Sequence, residues 1–206
     1  FIDINGDGQV NLDDRVSLGR PIPKIFGGLN LDGTYKAFDF NIFFYGVSGN
    51  RILNYQRASL ESFGGLANIS REYYLNRWTP SKTGENRYTR VTNEDNNDNT
   101  RPSDVYAEDG SYLRLRNIQV GYSLPSKMLS RYSITRIRLY VSAQNLFTIT
   151  GYSGLDPEIG LPQQYDSATR YGPAGGDLPR SVGSSGVDVG NYPLSRFYTF
   201  GLNVTF

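Results

Sequence analysis

The residues with the most evident chemistry form the stretch DINGDGQVNLDD, in which oxygen-bearing side chains alternate with other residues. A glycine occupies the place where calcium-binding loops turn sharply. The ligands that this spacing predicts are Asp3, Asn5, Asp7, the carbonyl of Gln9, Asn11 through a water, and Asp14. Hard divalent cations bind several such oxygens at about 2.3–2.6 Å. The spacing therefore predicts a calcium ion, or a similar ion, with a structural role.

Two departures from the calcium-loop pattern leave an alternative open. Asp14 stands where the pattern usually has a longer Glu that closes the coordination shell with both oxygens. No helical pattern follows the loop. A loop of Asx turns without an ion would account for the same residue types.

The composition excludes most kinds of catalytic and redox site. The chain has 206 residues, no His, no Cys and a formal net charge of +1. Imidazole bases, thiolate nucleophiles, disulfides and soft-metal sites are therefore absent. The near-neutral balance gives no overall field that would attract nucleic acid. We expect neither an enzyme nor an organic cofactor, and we assign no catalytic residue.

Alternation of apolar and polar residues recurs in five segments, which predicts an all-β fold. A strand places successive side chains on opposite faces, so each segment has one apolar face. In the last segment Tyr198, Phe200, Leu202 and Val204 alternate with small or polar residues. The predicted strands are 22–35, 36–48, 111–124, 134–150 and 194–206.

Two of the predicted strands break the alternation. In 111–124 the apolar set changes parity between Leu115 and Ile118, and one extra residue near Arg116–Asn117 would restore the face. A β-bulge supplies such a residue. In 134–150 the exception is Asn145, which lies among apolar residues.

The connections between the predicted strands alternate in length. The turns at 32–37 and 125–135 are tight, whereas 46–110 and 151–193 are long. Strands of about 9–11 residues with short turns at one end and long loops at the other are typical of outer-membrane barrels. The alternative is a soluble, calcium-stabilised β-sandwich that binds carbohydrate, in which the apolar faces form a core. A dockerin-like module is disfavoured because the loop has no duplicate.

The order of the segments resembles that of SusC/RagA-type TonB-dependent transporters of the Bacteroidetes. The motifs that carry the resemblance are YLRLRNIQVGYSLP, NLFTITGYSGLDPE and the final F-x-x-G-L-N-V-x-F, and the likeness runs from Asp3 to Phe206. It implies a transmembrane antiparallel β-barrel of about 22 strands. The five predicted strands would be its last five, so we expect the plug and the signal peptide to lie outside this chain.

The resemblance also implies how the strands are placed in the membrane. The tight turns would be periplasmic, the long loops extracellular, and the apolar faces in contact with lipid. The loop with the calcium pattern would then lie outside the cell. Phe206 resembles the terminal aromatic signal that the barrel-assembly machinery reads, although an interfacial aromatic anchor would explain it equally well.

The function that the resemblance implies is energised import of a large nutrient, an oligosaccharide or a peptide, across the outer membrane. The implied partners are a SusD-like surface lipoprotein and the TonB–ExbB–ExbD complex, which would act through the plug. No nucleic acid is expected as a partner.

The two long loops offer further candidates. Spacing in 67–81 predicts a short helix with Ser70 as its cap and Pro80 as its stop, more in keeping with a small loop core than with ligand contact. Tyr152, Tyr165 and Tyr171 could contact a ligand or line a partner interface, so we assign no substrate-binding residue. Segment 93–104 is rich in Asn and Asp and is predicted to be a solvated, flexible stretch.

Overall fold

The computed structural model describes residues 1–61, 68–82, 88–92, 103–129, 133–159 and 186–206. None of the helices in these residues has the length and apolar character that crossing a membrane requires. The strands are β1 (Ile25–Tyr35), β2 (Phe38–Ser48), β3 (Arg51–Asn54), β4 (Ala107–Asp109), β5 (Tyr112–Ser123), β6 (Arg136–Thr150), β7 (Val187–Asp188) and β8 (Phe197–Thr205); the α-helices are α1 (Tyr55–Leu60), α2 (Arg71–Asn76) and α3 (Ser126–Leu129), and short 3-10 helices span Leu12–Asp14 and Asp104–Tyr106.

Five long strands form one antiparallel sheet in the order β1–β2–β5–β6–β8. A two-residue turn joins β1 to β2, and its Lys36 has a φ of 56°. A smaller sheet in the order β4–β3–β7 lies at the other end, where the long connections emerge, and its β3 and β7 are parallel. We call these two ends of the main sheet the turn end and the loop end.

The five long strands correspond to the five segments with alternating residues. The first begins at Ile25 rather than at 22, because Pro21 and Pro23 have no N–H to donate to a ladder. The sequence did not predict the small sheet, α1 or α3.

Apolar residues of the five strands share one face of the main sheet. Phe40 pairs with Val120, Val120 with Val141, and Val141 with Phe200, so one apolar row crosses four strands. These four side chains are 40%, 45%, 48% and 79% exposed. They form no closed core, which contradicts the β-sandwich alternative.

A bulge keeps the apolar residues of β5 on one face. Phe44 pairs with Leu115 and Phe43 with Asn117, so Arg116 is the extra residue opposite β2. The bulge predicted near Arg116–Asn117 is confirmed. Next to it, β6 carries its own irregularity at Asn145, which has a φ of 52°. Asn tolerates this left-handed conformation better than most residues, which explains why a polar residue interrupts the apolar set there.

On the opposite face, Tyr140 of β6 lies flat against Gly201 of β8. A Cβ added to Gly201 would come within 2.2 Å of the Tyr140 ring. Glycine at 201 therefore lets the Tyr140 ring lie against the β8 backbone, although glycine weakens a strand in other settings.

We predict that Gly201→Ala lowers the free energy of unfolding of the full-length protein in detergent by about 1–3 kcal/mol, because the methyl group overlaps the Tyr140 ring. Denaturant titration would measure the change. Gly27→Ala is the matched control, since a Cβ at Gly27 meets no heavy atom within 4 Å. In a Tyr140→Ala background the cost at Gly201 should disappear, and an equal cost in both backgrounds would contradict the prediction.

Candidate functional site

The apolar face of the main sheet is a large exposed surface. Soluble proteins rarely expose contiguous apolar patches of more than a few hundred Å2. A face of this kind fits contact with the hydrocarbon interior of a membrane. Its exposed members include Leu29, Leu31, Phe38, Phe40, Leu113, Val120, Leu139, Val141, Phe147, Ile149, Tyr198, Phe200 and Leu202.

The opposite face of the sheet is joined by side-chain hydrogen bonds between strands. The Asn41 amide donates to Asn30 Oδ1 at 2.9 Å and to Asp32 Oδ1 at 2.6 Å. In turn, Asn117 Nδ2 donates to Asn41 Oδ1 at 2.8 Å. This amide ladder links β1, β2 and β5 and presents donors and acceptors that water can solvate.

The polar face also carries a charged pair nearer the turn end. The Arg138 guanidinium donates from Nε to Asp39 Oδ1 at 2.9 Å, and a second, parallel bond completes a bidentate pair. The pair spans β5 at Gly121, where a Cβ would come within 2.5 Å of Arg138 Nε. The pair is partly exposed, so we expect it to orient side chains along this face more than to stabilise the fold.

A buried arginine holds three segments together at the loop end. Arg114, which is 2% exposed, donates to Thr148 Oγ1 at 2.8 Å, to Asp156 Oδ1 at 2.5 Å and to Glu158 Oε2 at 2.9 Å. The other Asp156 oxygen accepts from the Leu194 N–H at 3.1 Å. One side chain thus ties β5 to the residues that follow β6 and, through Asp156, to those that precede β8.

A second polar cluster joins the small sheet to α1. Glu108 accepts from the Ser153 N–H at 2.8 Å and hydroxyl at 2.7 Å, and from Arg57 Nη1 at 2.9 Å. Burial acts to raise the pKa of Glu108, but these bonds outweigh burial, and its pKa is lowered. Asn54 Nδ2 donates to Glu108 Oε1 at 3.3 Å. The carboxylate is therefore a charged junction between distant loop segments.

Tyr152, a candidate ligand contact from the sequence, has a structural role here. It is 6% exposed and donates its hydroxyl to Asp188 Oδ2 at 2.6 Å. Burial, with the adjacent carboxylate, raises the pKa of Tyr152. The other Asp188 oxygen accepts from the N–H groups of Gly190 and Asn191. The sequence did not predict this hydrogen bond, because Tyr152 and Asp188 lie far apart in the chain and form no recognisable motif.

Of the other segments that the sequence singled out in the long loops, the structure describes the predicted helix but not all the rest. Helix α2 begins after Ser70, whose hydroxyl accepts from the Tyr73 N–H at 3.0 Å, as predicted, but it ends at Asn76, before Pro80. Tyr165, Tyr171 and segment 93–102 lie outside the described residues.

The predicted ion-binding loop is held by bonds from its own backbone. Asp3 accepts from the N–H groups of Gly6 at 2.7 Å and Gly8 at 2.8 Å. Asp14 accepts from Ile4 and Asn11, both at 2.7 Å. The N–H of Asn11, followed by that of Ile4, lowers the pKa of the exposed Asp14 carboxyl.

The remaining predicted ligands of this loop form Asx turns. Asn5 Oδ1 accepts from Asp7 N at 2.9 Å, and Asp7 Oδ1 accepts from Gln9 N at 2.8 Å. Asn11 caps the 3-10 helix by accepting from Asp13 N at 2.7 Å. No group of three or more Asp, Glu, His or Cys in the described residues is arranged to hold a metal. A carboxylate oxygen that accepts one N–H keeps a lone pair for a cation, so the calcium assignment stays a prediction.

Phe206 is 85% exposed. Its assignment as a barrel-assembly signal also stays a prediction.

Comparison with known sequences places these features in context. No family model matches the chain. The TonB-dependent receptor P3 of Formosa agariphila is 37% identical over 206 residues, which are 100% of this chain and 19% of that protein. The TonB-dependent receptor SusC of Bacteroides thetaiotaomicron is 26% identical over 216 residues, covering 100% of this chain and 17% of SusC. The chain thus spans less than a fifth of the length of these two relatives.

Solved structures of a peptide importer also match this chain. A chain of the RagAB peptide importer in its closed-closed state superposes with a TM-score of 0.70 at 25% identity, covering 97% of this chain and 20% of that one. In another structure of the RagAB peptide transporter the TM-score is 0.69 at 26% identity, with 96% and 19% covered. The antiparallel sheet therefore matches part of a membrane barrel.

We predict that Phe200→Arg and Thr199→Arg, on adjacent residues of β8, have very different effects in the full-length protein. Arginine at Phe200 would face lipid near the middle of the strand and lower the free energy of unfolding by about 2–4 kcal/mol. Thr199 lies on the polar face, so arginine there should cost less than about 1 kcal/mol. Unfolding titrations in lipid vesicles would measure both, and equal costs would argue against lipid contact.

Proposed function

On the premise that this chain belongs to the SusC/RagA type of TonB-dependent receptors, we propose that its sheet forms part of an outer-membrane barrel wall that serves the import of a large nutrient. The observation that carries the proposal is the division of the sheet into an apolar and a polar face, aligned across all five strands. A wall between lipid and an aqueous passage requires this division.

In this proposal each face of the sheet has one task. The apolar face contacts lipid, while the amide ladder around Asn41 and the Asp39–Arg138 pair border the aqueous interior. The turn end is periplasmic and the loop end extracellular. Backbone groups that border lipid must be paired within the protein, and the antiparallel ladder meets that need between the five strands.

The proposed partners follow from the relatives. A SusD-like lipoprotein would cover the extracellular mouth, and TonB–ExbB–ExbD would supply energy through a plug. Support comes from the relatives' names, TonB-dependent receptor and RagAB peptide importer. The cargo class, oligosaccharide or peptide, is part of the proposal, with peptide favoured by the RagAB likeness. The proposal includes no covalent chemistry.

The test is energised uptake by cells that make the full-length receptor and its lipoprotein. Fluorescent oligopeptides and fluorescent oligosaccharides, supplied separately, should show which class accumulates. We predict that accumulation of that class stops when tonB is deleted or when a protonophore collapses the inner-membrane gradient, because the transport step draws on that gradient. Accumulation that is unchanged by both treatments would refute TonB-dependent import.

We also propose that the loop of residues 3–14 holds a structural calcium ion on the extracellular side. Its support is the spacing of Asp3, Asn5, Asp7 and Asp14 around the turns at Gly6 and Gly8, which have φ values of 77° and 84°. The residues would supply oxygen ligands and the ion would stiffen the loop.

We predict that a calcium chelator increases hydrogen exchange in residues 3–14 of the full-length receptor, because the ion would no longer restrain the loop. Asp7→Asn should abolish the response, whereas Asp13→Asn, at a position outside the predicted ligand set, should leave it intact. No change on chelation in the unmodified protein would mean that the Asx turns alone hold the loop.

A further inference from the structure

A small hollow lies beside α1 at the loop end, outside the main sheet. Its volume is about 180 Å3, and its walls include Leu60, Glu61, Ser70 and Leu155. Sites for drug-sized ligands occupy about 300–1,000 Å3. The hollow therefore suits one side chain or one small functional group of a larger molecule.

The carboxylate of Glu61 is buried in the wall of this hollow with one oxygen unpaired. Glu61 is 6% exposed, and its Oε1 accepts from Arg57 Nε at 2.9 Å and from the Tyr88 hydroxyl at 3.0 Å. Its Oε2 has no hydrogen-bond partner among the residues that the structure describes. A buried acceptor without a donor is unfavourable, and more so when it carries charge.

The charges around Glu61 do not balance. Arg57 binds Glu61 at 2.9 Å and Glu108 at 2.9 Å, so one guanidinium serves two carboxylates. Counted over the described residues, the cluster of Arg57, Glu61 and Glu108 has an excess of one negative charge. Residues 62–67, the next in the sequence, include no Lys or Arg. A cationic group from another molecule would complete the cluster.

The apolar part of the hollow indicates what kind of cation fits. Leu60 and Leu155 are 42% and 56% exposed and stand beside the buried carboxylate. Two such leucines can pack against a methylene chain while its charged tip reaches Glu61. A metal ion is disfavoured, since Glu61 is the one carboxylate among the described residues that line the hollow, and a hard cation takes six or more oxygen ligands.

We propose that this hollow is an extracellular subsite for a primary aliphatic ammonium, such as the lysine side chain of a peptide. The ammonium donates to Glu61 Oε2 and to the hydroxyl of Ser70, and its methylene chain lies against Leu60 and Leu155. This subsite rests on the proposed import function, which it deepens by selecting peptides with a free lysine.

The test uses the purified full-length receptor with its lipoprotein, and two peptides that differ only in one charge. The probe is a tripeptide Ala-Lys-Ala, acetylated at its N-terminus and amidated at its C-terminus, so that lysine carries its only cation. Its match has an Nε-acetylated lysine. We expect calorimetric titration to give at least about tenfold weaker binding for the acetylated peptide, as losing a hydrogen bond between charged groups predicts.

Three variants assign the effect to the hollow. Glu61→Gln should remove the preference for the charged peptide, and Leu155→Ala, on the exposed wall, should weaken binding of the charged peptide without disturbing the ionic cluster. Glu72→Gln, in an exposed part of α2, should behave like the unmodified protein. Equal binding of the two peptides, or an unchanged preference in Glu61→Gln, would overturn the subsite.

Measurements of uptake distinguish a failure of the proposed subsite from a failure of the proposed import function. A charge preference that depends on Glu61, without TonB-dependent accumulation of peptide, would leave the subsite standing and refute import. TonB-dependent accumulation with no preference for the charged peptide in binding would refute the subsite and leave import standing.

Discussion

The constraint on which the structure depends is the pairing of backbone N–H and C=O groups between strands. Water is absent from the interior of a bilayer, so each of these groups must find its partner within the sheet. The antiparallel ladders between neighbouring strands, in the order β1–β2–β5–β6–β8, provide these partners within the sheet. Because the backbone groups are hydrogen-bonded in the ladder, the side chains can be apolar on one face of the sheet and polar on the other.

The separation of apolar from polar side chains requires that each strand keep its register with its neighbours. In β5 the bulge at Arg116 preserves this separation. If β5 continued through Arg116 as a regular strand, Leu113 and Leu115 would lie on the face opposite Ile118 and Val120. The bulge corrects this, and the left-handed Asn145 next to it accommodates the correction in β6. Close contacts such as that of Tyr140 with Gly201 then fix strands side by side on the polar face.

The sequence was sufficient to predict the strands and the bulge, which depend on local alternation of residues. It was insufficient for contacts between residues that are far apart in the chain. Period-two patterning in Phe38–Ser48 or Arg136–Thr150 identifies a strand, and a change of parity identifies a bulge. The small sheet offered no such pattern, since β7 has two residues and pairs with β3 from a distant part of the chain. Tyr152 illustrates the difficulty for the site: its type was compatible with contact to a ligand or to a partner, yet its hydroxyl donates to Asp188.

The distribution of buried charge separates the wall from the loops. Apart from Arg114, at the loop end of β5, the described buried ionic groups lie outside the main sheet, where Glu61, Asp156 and Asp188 are less than 9% exposed. Burying a charge is costly unless it is fully hydrogen-bonded, and backbone N–H groups and hydroxyls of these irregular segments supply the bonds. Such bonds are directional, so together with the buried side chains of Ile52, Tyr73 and Tyr106 they fix one arrangement of the loops. Glu61 alone departs from this rule, because one of its oxygens remains without a partner in the described residues.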